Sequence, residues 1–324
     1  MSAQSHALTQ QLGITHPIIG GAMYPCSNPE LVAAVSQSGA IGIVQPISLT
    51  YVHGHDFRHG LRYIRSITDR PIGLNLLVEK SSKRYLEKNK AWLEIAIEEG
   101  VRFFITALGN PNWVVKRLFH VPGSTVFHDV TTRKWAEKAT TAGVQGLICV
   151  NNRAGGHAGT LSPQALFDAL TSFNLPLICA GGIGGKVTYD QALNIGYAGV
   201  QIGTRMIATQ ECKAHIDYKK AIVNASKKHI VLTEKITGVP VSVIQTDYIR
   251  SKGTEPSRLT KSLLQSNKTK HLTRLFYSLR SIWQLKRSLN KGANYREFYQ
   301  AGKSVDEITD IQTVNNVIQQ LVSL

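Results

Sequence analysis

Three segments of this sequence hold residues whose types and spacing could do chemistry. Ala180-Gly181-Gly182-Ile183-Gly184-Gly185 ends one apolar run, and Gln201-Ile202-Gly203-Thr204-Arg205 ends the next. Glycines without side chains let backbone N–H groups approach an anion, and Thr204 adds a hydroxyl beside Gly203. Either motif alone reads as a glycine turn; at the ends of consecutive strands the two together read as a phosphate site. The third segment, Asn151-Asn152-Arg153-Ala154-Gly155-Gly156-His157-Ala158-Gly159, sets an imidazole among glycines against which a flat ring can lie. Histidine exchanges a proton near neutral pH without a large shift in its pKa. An isolated histidine is most often structural; one in a glycine loop on a binding face is a candidate for catalysis or substrate binding. His128, in VFHDV, reads as structural.

These segments need a scaffold that brings them together. Eight apolar, β-type runs alternate with helix-length stretches: 17–22, 41–46, 71–78, 101–108, 124–130, 144–150, 175–182 and 198–204. Most are apolar on both faces, as buried parallel strands are. Asn28, Pro29 and Gly39 give a complete set of helix signals around one intervening stretch, and Ser162 and Pro163 open another. Eight such units predict an α/β fold, a (β/α)8 TIM barrel, whose site lies on the loops after the strands, with phosphate after strands seven and eight.

Past the eighth run the pattern changes. A helical stretch from about Glu211 to Lys228 precedes the apolar VPVSVIQ, and 272–289 carries apolar residues near helical spacing. We expect residues 1–212 and 295–324 to form the barrel, with a small basic helical domain over 213–294 inserted before a closing helix near the C-terminus.

At 324 residues the chain exceeds the about 250 of a lone barrel, which fits one large domain plus an appendage. Hydrophobic residues at 43% against 18% charged exclude disorder by composition. The four cysteines lie far apart with no C-x-x-C pair, which argues against zinc, a redox dithiol or a disulfide framework. No stretch approaches the ~20 apolar residues of a membrane span, and no apolar leader begins the chain. A cytoplasmic protein without membrane association is expected; a homodimer is left open. The net charge of +16 is concentrated in residues 250–296, where twelve Lys or Arg face a single acid, Glu255. That segment could hold nucleic acid or an acidic membrane. Its apolar helical face and the lack of a nucleic-acid motif favour a solvated helix surface instead.

PIIGGAMYPCSNPELVAAVSQSGAIG, GLNLLV, AGGHAG, LICAGGIG and VQIGTRMIAT together resemble the nitronate monooxygenase family, formerly called 2-nitropropane dioxygenases, along nearly the whole chain. The resemblance implies FMN across the barrel mouth, with its phosphate on Gly181, Gly182, Gly203 and Thr204 and with Gln201 in the same stretch. Asn75 would hydrogen-bond the cofactor, the backbone of Ala22 and Met23 would line the ring, and Gly155 would lie against it. His157 would be the active-site base or the group that orients the nitro function. The implied reaction oxidises an alkyl nitronate or nitroalkane, such as propionate 3-nitronate, with O2 to a carbonyl compound and nitrite. NAD(P)H-dependent flavin reductases of quinones or enoyl thioesters resemble the same pattern and imply the alternative reaction. The chain departs from many family members at Val150 and Arg153, where those carry Gln and Glu.

Overall fold

The computed structural model describes residues 2–79, 83–235, 240–255 and 298–323. Eight parallel strands close into a barrel in sequence order, β1 (Ile18–Gly20), β2 (Ile41–Val44), β3 (Ile72–Leu77), β4 (Phe103–Ala107), β5 (Thr125–Val130), β6 (Gly146–Val150), β7 (Leu177–Ala180) and β8 (Gly199–Ile202). The ring is completed by β1 against β8, with Ile19 opposite Gln201. All eight expected runs are strands, each within its predicted bounds. They are shorter because the residues at their ends leave the ladder for the loops.

Strand alternation divides the apolar residues into two layers. Ile19, Ile41, Ile43, Phe103, Ile105, Phe127, Ile148, Ile178 and Ala180 fill the barrel interior. Leu8 and Leu12 of the N-terminal helix Ala3–Leu12 join that cluster, so this helix plugs the end opposite the strand C-termini. The outward residues, among them Leu74, Phe104, Leu147 and Val200, pack under the surrounding helices in the larger cluster.

The helix signals hold, with one difference. Ser162 Oγ accepts from Ala165 N at 3.2 Å and caps helix Pro163–Leu170. Asn28 stands at the cap position of helix Pro29–Gln37, yet its side chain makes no cap bond. Instead its Nδ2 donates to the Glu211 carbonyl at 2.9 Å and its Oδ1 accepts from Lys213 N at 3.0 Å. Asn28 thus ties the first β/α unit to the segment after the barrel.

Within the expected appendage, helix Ile216–Asn224 is followed by an antiparallel pair, β9 (Ile230–Thr233) and β10 (Val241–Ile244), and by helix Asp247–Lys252. The apolar VPVSVIQ therefore supplies a strand. The amphipathic stretch 272–289 lies outside the described residues. The C-terminal helix, Val314–Val322, packs on helices Pro29–Gln37 and Lys186–Ile195. Among the described residues no helix is long and apolar enough to cross a membrane.

The helix after β1 lies close against β2. A Cβ built on Gly42 of β2 would fall inside the Val32 carbonyl oxygen of helix Pro29–Gln37, so helix and strand meet backbone to backbone. Gly42→Ala should therefore cost at least the about 1–3 kcal/mol typical of overpacking, because a main chain cannot rotate away as a side chain can. Urea unfolding checks this; an unchanged midpoint would mean that the helix shifts at no cost.

Candidate active site

The C-terminal ends of β6, β7 and β8 place the three glycine segments side by side. After β7, Gly181 and Gly182 adopt φ of +118° and +84°, a region side chains disfavour. A Cβ on Gly181 would also lie 2.6 Å from Ala154 N and 2.7 Å from Asn151 Oδ1. Glycine is thus required both by the turn and by the close approach of the β6 loop. Beyond β8, Gly203 leads into the short helix Thr204–Ile207. The backbone N–H groups of Gly181, Gly182, Ile183, Gly203 and Thr204 have no acceptor among the described residues. Thr204 Oγ1 accepts from Gly302 N at 2.9 Å, which leaves its own proton to donate. Arg205 turns away, paired with Asp310 Oδ1 at 3.0 Å and donating to the Asp310 carbonyl at 2.7 Å.

Asn151, fully buried, fixes the loop that carries His157. Its Oδ1 accepts from Arg153 N at 2.8 Å, and its Nδ2 donates to the Gly181 carbonyl at 3.0 Å. On the far side of the loop, Ser242 N of β10 donates to the Gly156 carbonyl at 2.8 Å, so the hairpin outside the barrel braces this segment. Ala301 and Gly302 back Gly155, and Lys303 N donates to the Arg153 carbonyl at 2.9 Å. Arg153, a departure from the family pattern, lies with its side-chain stem along Gly182. His157 is exposed at the rim, while the protein crowding its inner side lowers its pKa below the ordinary 6.5. That shift favours the neutral imidazole.

The floor of the mouth comes from inward-facing residues at the strand ends. Asn75 of β3 is 6% exposed there. Gln201 of β8 packs beside Gly21, and its Oε1 is buried without a hydrogen-bond partner among the described residues. Ala22 packs on the interior cluster. Met23, anchored by its N–H to Ser27 Oγ at 2.8 Å, extends its side chain to Gly203. The structure therefore gathers Ala22, Met23, Asn75, Gly155, His157, Gly181, Gly182, Gln201, Gly203 and Thr204 at the same end of the barrel. A cavity of about 250 Å³ lies at the opposite end, lined by Gln11, Leu12, Arg65 and Arg102 among others. In barrels that end serves stability, not chemistry.

A family model described as nitronate monooxygenase matches residues 5–323. The chain belongs to that family. It is a flavin-dependent oxidoreductase, and the partnerless N–H groups at two strand ends and the orphaned Gln201 Oε1 suit a phosphorylated, hydrogen-bonding cofactor. A probable nitronate monooxygenase of Staphylococcus saprophyticus is 25% identical, over 98% of this chain and 97% of that protein. A (3aS,4S,5R,7aS)-5-hydroxy-7a-methyl-1-oxo-octahydro-1H-indene-4-carboxyl-CoA dehydrogenase of Rhodococcus jostii is 24% identical over the whole chain and 96% of its own length. Among solved structures, FabK from Thermotoga maritima superposes with a TM-score of 0.79 at 27% identity, covering 98% of this chain and 94% of that one.

Of two neighbours on β5, sequence reading took His128 as structural and passed over Asp129. His128 faces outward, 2% exposed, with its Nδ1 2.8 Å from Thr106 Oγ1, and burial pushes its pKa down to about 4. That supports a structural role for it. Asp129 faces inward, and burial pushes its pKa up to about 7. The available signal was a carboxylate two residues after Phe127 in an inward-facing register.

The two titrations oppose each other in stability. Burial favours neutral His128, so its contribution is full above its unfolded value of 6.5 and is lost as pH falls toward about 4. Burial favours protonated Asp129, so its contribution is full below 3.8 and is lost as pH rises through about 7. Asp129→Asn removes the second slope. Its unfolding free energy should then rise more steeply than the wild type's between pH 4 and 6.5, by a few kcal/mol in all at about 1.4 kcal/mol per pKa unit. Urea titrations at stepped pH measure this, and parallel curves would show that the carboxyl titrates normally.

Proposed function

We propose that this family member is an FMN-dependent nitronate monooxygenase, converting alkyl nitronates and O2 into carbonyl compounds and nitrite. The observation that carries the reading is the pairing of one set of N–H groups without an acceptor among the described residues, at Gly181–Ile183 and Gly203–Thr204, with an imidazole on the adjacent loop. The glycine loops offer one phosphate site, which favours FMN over a dinucleotide flavin. Thr204 would add its hydroxyl proton to the phosphate, while Gln201 and Asn75 would hydrogen-bond the cofactor. Ala22 and Met23 would line the ring, and Gly155 would lie against it.

Bound flavin supplies the two-electron chemistry. What the protein must add is orientation and, for a neutral nitroalkane, removal of the α proton. Nε2 or Nδ1 of neutral His157 can take that proton. The second reading, a dehydrogenase or NAD(P)H-dependent reductase acting on a thioester or quinone, is favoured by the carboxyl-CoA dehydrogenase among the relatives. Aerobic assays with propionate 3-nitronate, and with NADH plus quinone or enoyl thioester, separate the two. Four free, buried cysteines accord with a reducing, cytoplasmic setting.

The purified protein should be yellow and release FMN on denaturation. Gly182→Asp should abolish flavin retention, since a carboxylate would oppose the phosphate and a side chain would strain a backbone at φ +84°. Normal flavin content in that variant, folded by circular dichroism, contradicts the phosphate site.

His157→Ala should keep its flavin yet lose about 10²- to 10⁴-fold in turnover of a neutral nitroalkane. With preformed nitronate the proton has already left, and the loss should be smaller. Steady-state rates on both forms decide; wild-type rates on both would make His157 structural.

A further inference from the structure

Asp129 has no part in the function proposed above, yet it occupies the last inward position of β5. Phe127, two residues before it, belongs to the interior cluster, and so does Ile148, the cross-strand partner of Asp129. Val126 and Val130 pack in the outer layer. The carboxyl therefore projects into the barrel beneath the mouth, on the same inward face as Asn75 and Gln201. The next inward residues on the flanking strands, Ala107 of β4 and Val150 of β6, are apolar and cannot bond it.

Asp129 Oδ1 is sealed from solvent and has no hydrogen-bond partner among the described residues. A buried polar atom of this kind is costly and rare in native folds. Burial is the cause of its raised pKa, with no neighbouring charge contributing. The titratable groups around it do not offset this. His128 on the outer face of β5 is engaged with Thr106, and Cys149 on the outer face of β6 is a thiol held protonated by burial. His157 stands on the loop above.

We propose that Asp129 is a functional residue of the mouth, a neutral carboxylic acid that donates its proton as a hydrogen bond from the barrel floor to the flavin ring. The inference rests on the flavin site proposed above. A neutral donor beneath the ring favours added electron density, and the carboxylate would oppose it. Raising the pH through the titration of Asp129 therefore makes the bound cofactor harder to reduce. No electron or covalent bond is exchanged with Asp129; only its proton is held or released.

The test compares wild type with Asp129→Asn, which keeps a donor of similar size but cannot ionise. Three readouts are used: the visible spectrum of the oxidised holoprotein, its reduction potential across pH, and the infrared carboxylic C=O stretch of the FMN-stripped protein. The wild-type spectrum should shift with a single proton near pH 7, and its potential should fall more steeply above that pH than the variant's. The variant's spectrum should be invariant and match the wild type's low-pH form. The infrared band should vanish on raising the pH and be absent from Asp129→Asn. Indistinguishable spectra and potentials in the two proteins would overturn the proposal even if the band is present, since Asp129 would then be protonated without touching the ring. A missing band overturns it as well. A wild type that takes up no FMN defeats the functional reading and this inference with it, whereas a flavin-replete protein with no Asp129 signature defeats this inference alone.

Discussion

Closure of the parallel ladder is the constraint on which everything else depends. With β1 hydrogen-bonded to β8, every strand runs the same way and all eight C-terminal ends meet at one mouth. Three glycine segments spread over 55 residues of sequence, Asn151 to Arg205, thereby become neighbours. An open sheet would leave β1 and β8 at opposite edges, with Gln201 far from Gly21 instead of packed against it.

Closure alone does not hold the loops, and the chain outside the barrel supplies the rest. Ser242 of the hairpin bonds the Gly156 carbonyl, while Gly302 and Lys303 bond Thr204 and the Arg153 carbonyl. Gly302 and Lys303 thus stitch the β6 loop to the start of the short helix after β8. Asn151 completes the arrangement from below by joining the β6 and β7 loops through one buried amide. The N–H groups left over after these bonds are the ones free for an anion, so the brace and the cradle are two parts of one hydrogen-bond ledger.

Burial then sets the charge states. The rim imidazole is kept neutral, the outward His128 is kept neutral by the packed outer layer, and the inward Asp129 is kept protonated. Each follows from desolvation, the largest cause in all three. Uncharged donors at the strand ends suit the flavin of this family, which brings its own redox chemistry.

The sequence by itself determined the barrel, since eight apolar runs separated by helix signals leave few other closed solutions, and it marked the glycine segments because backbone conformation and close approach demand glycine there. Gly181 and Gly182 were legible for that reason, and Gly203, Thr204 and His157 were legible as candidates from their place at the strand ends. Tertiary structure alone decided which polar groups lack partners. Asn28 carries a helix-cap signature but spends its amide on Glu211 and Lys213, and Arg205 sits in the phosphate motif but pairs with Asp310. The brace from Ser242 and the role of Asn151 join residues distant along the chain. Asp129 was hidden because its significance lies in the acceptor and donor groups that fail to reach it. A linear sequence states which groups can bond; only the packed barrel determines which of them are left unpaired.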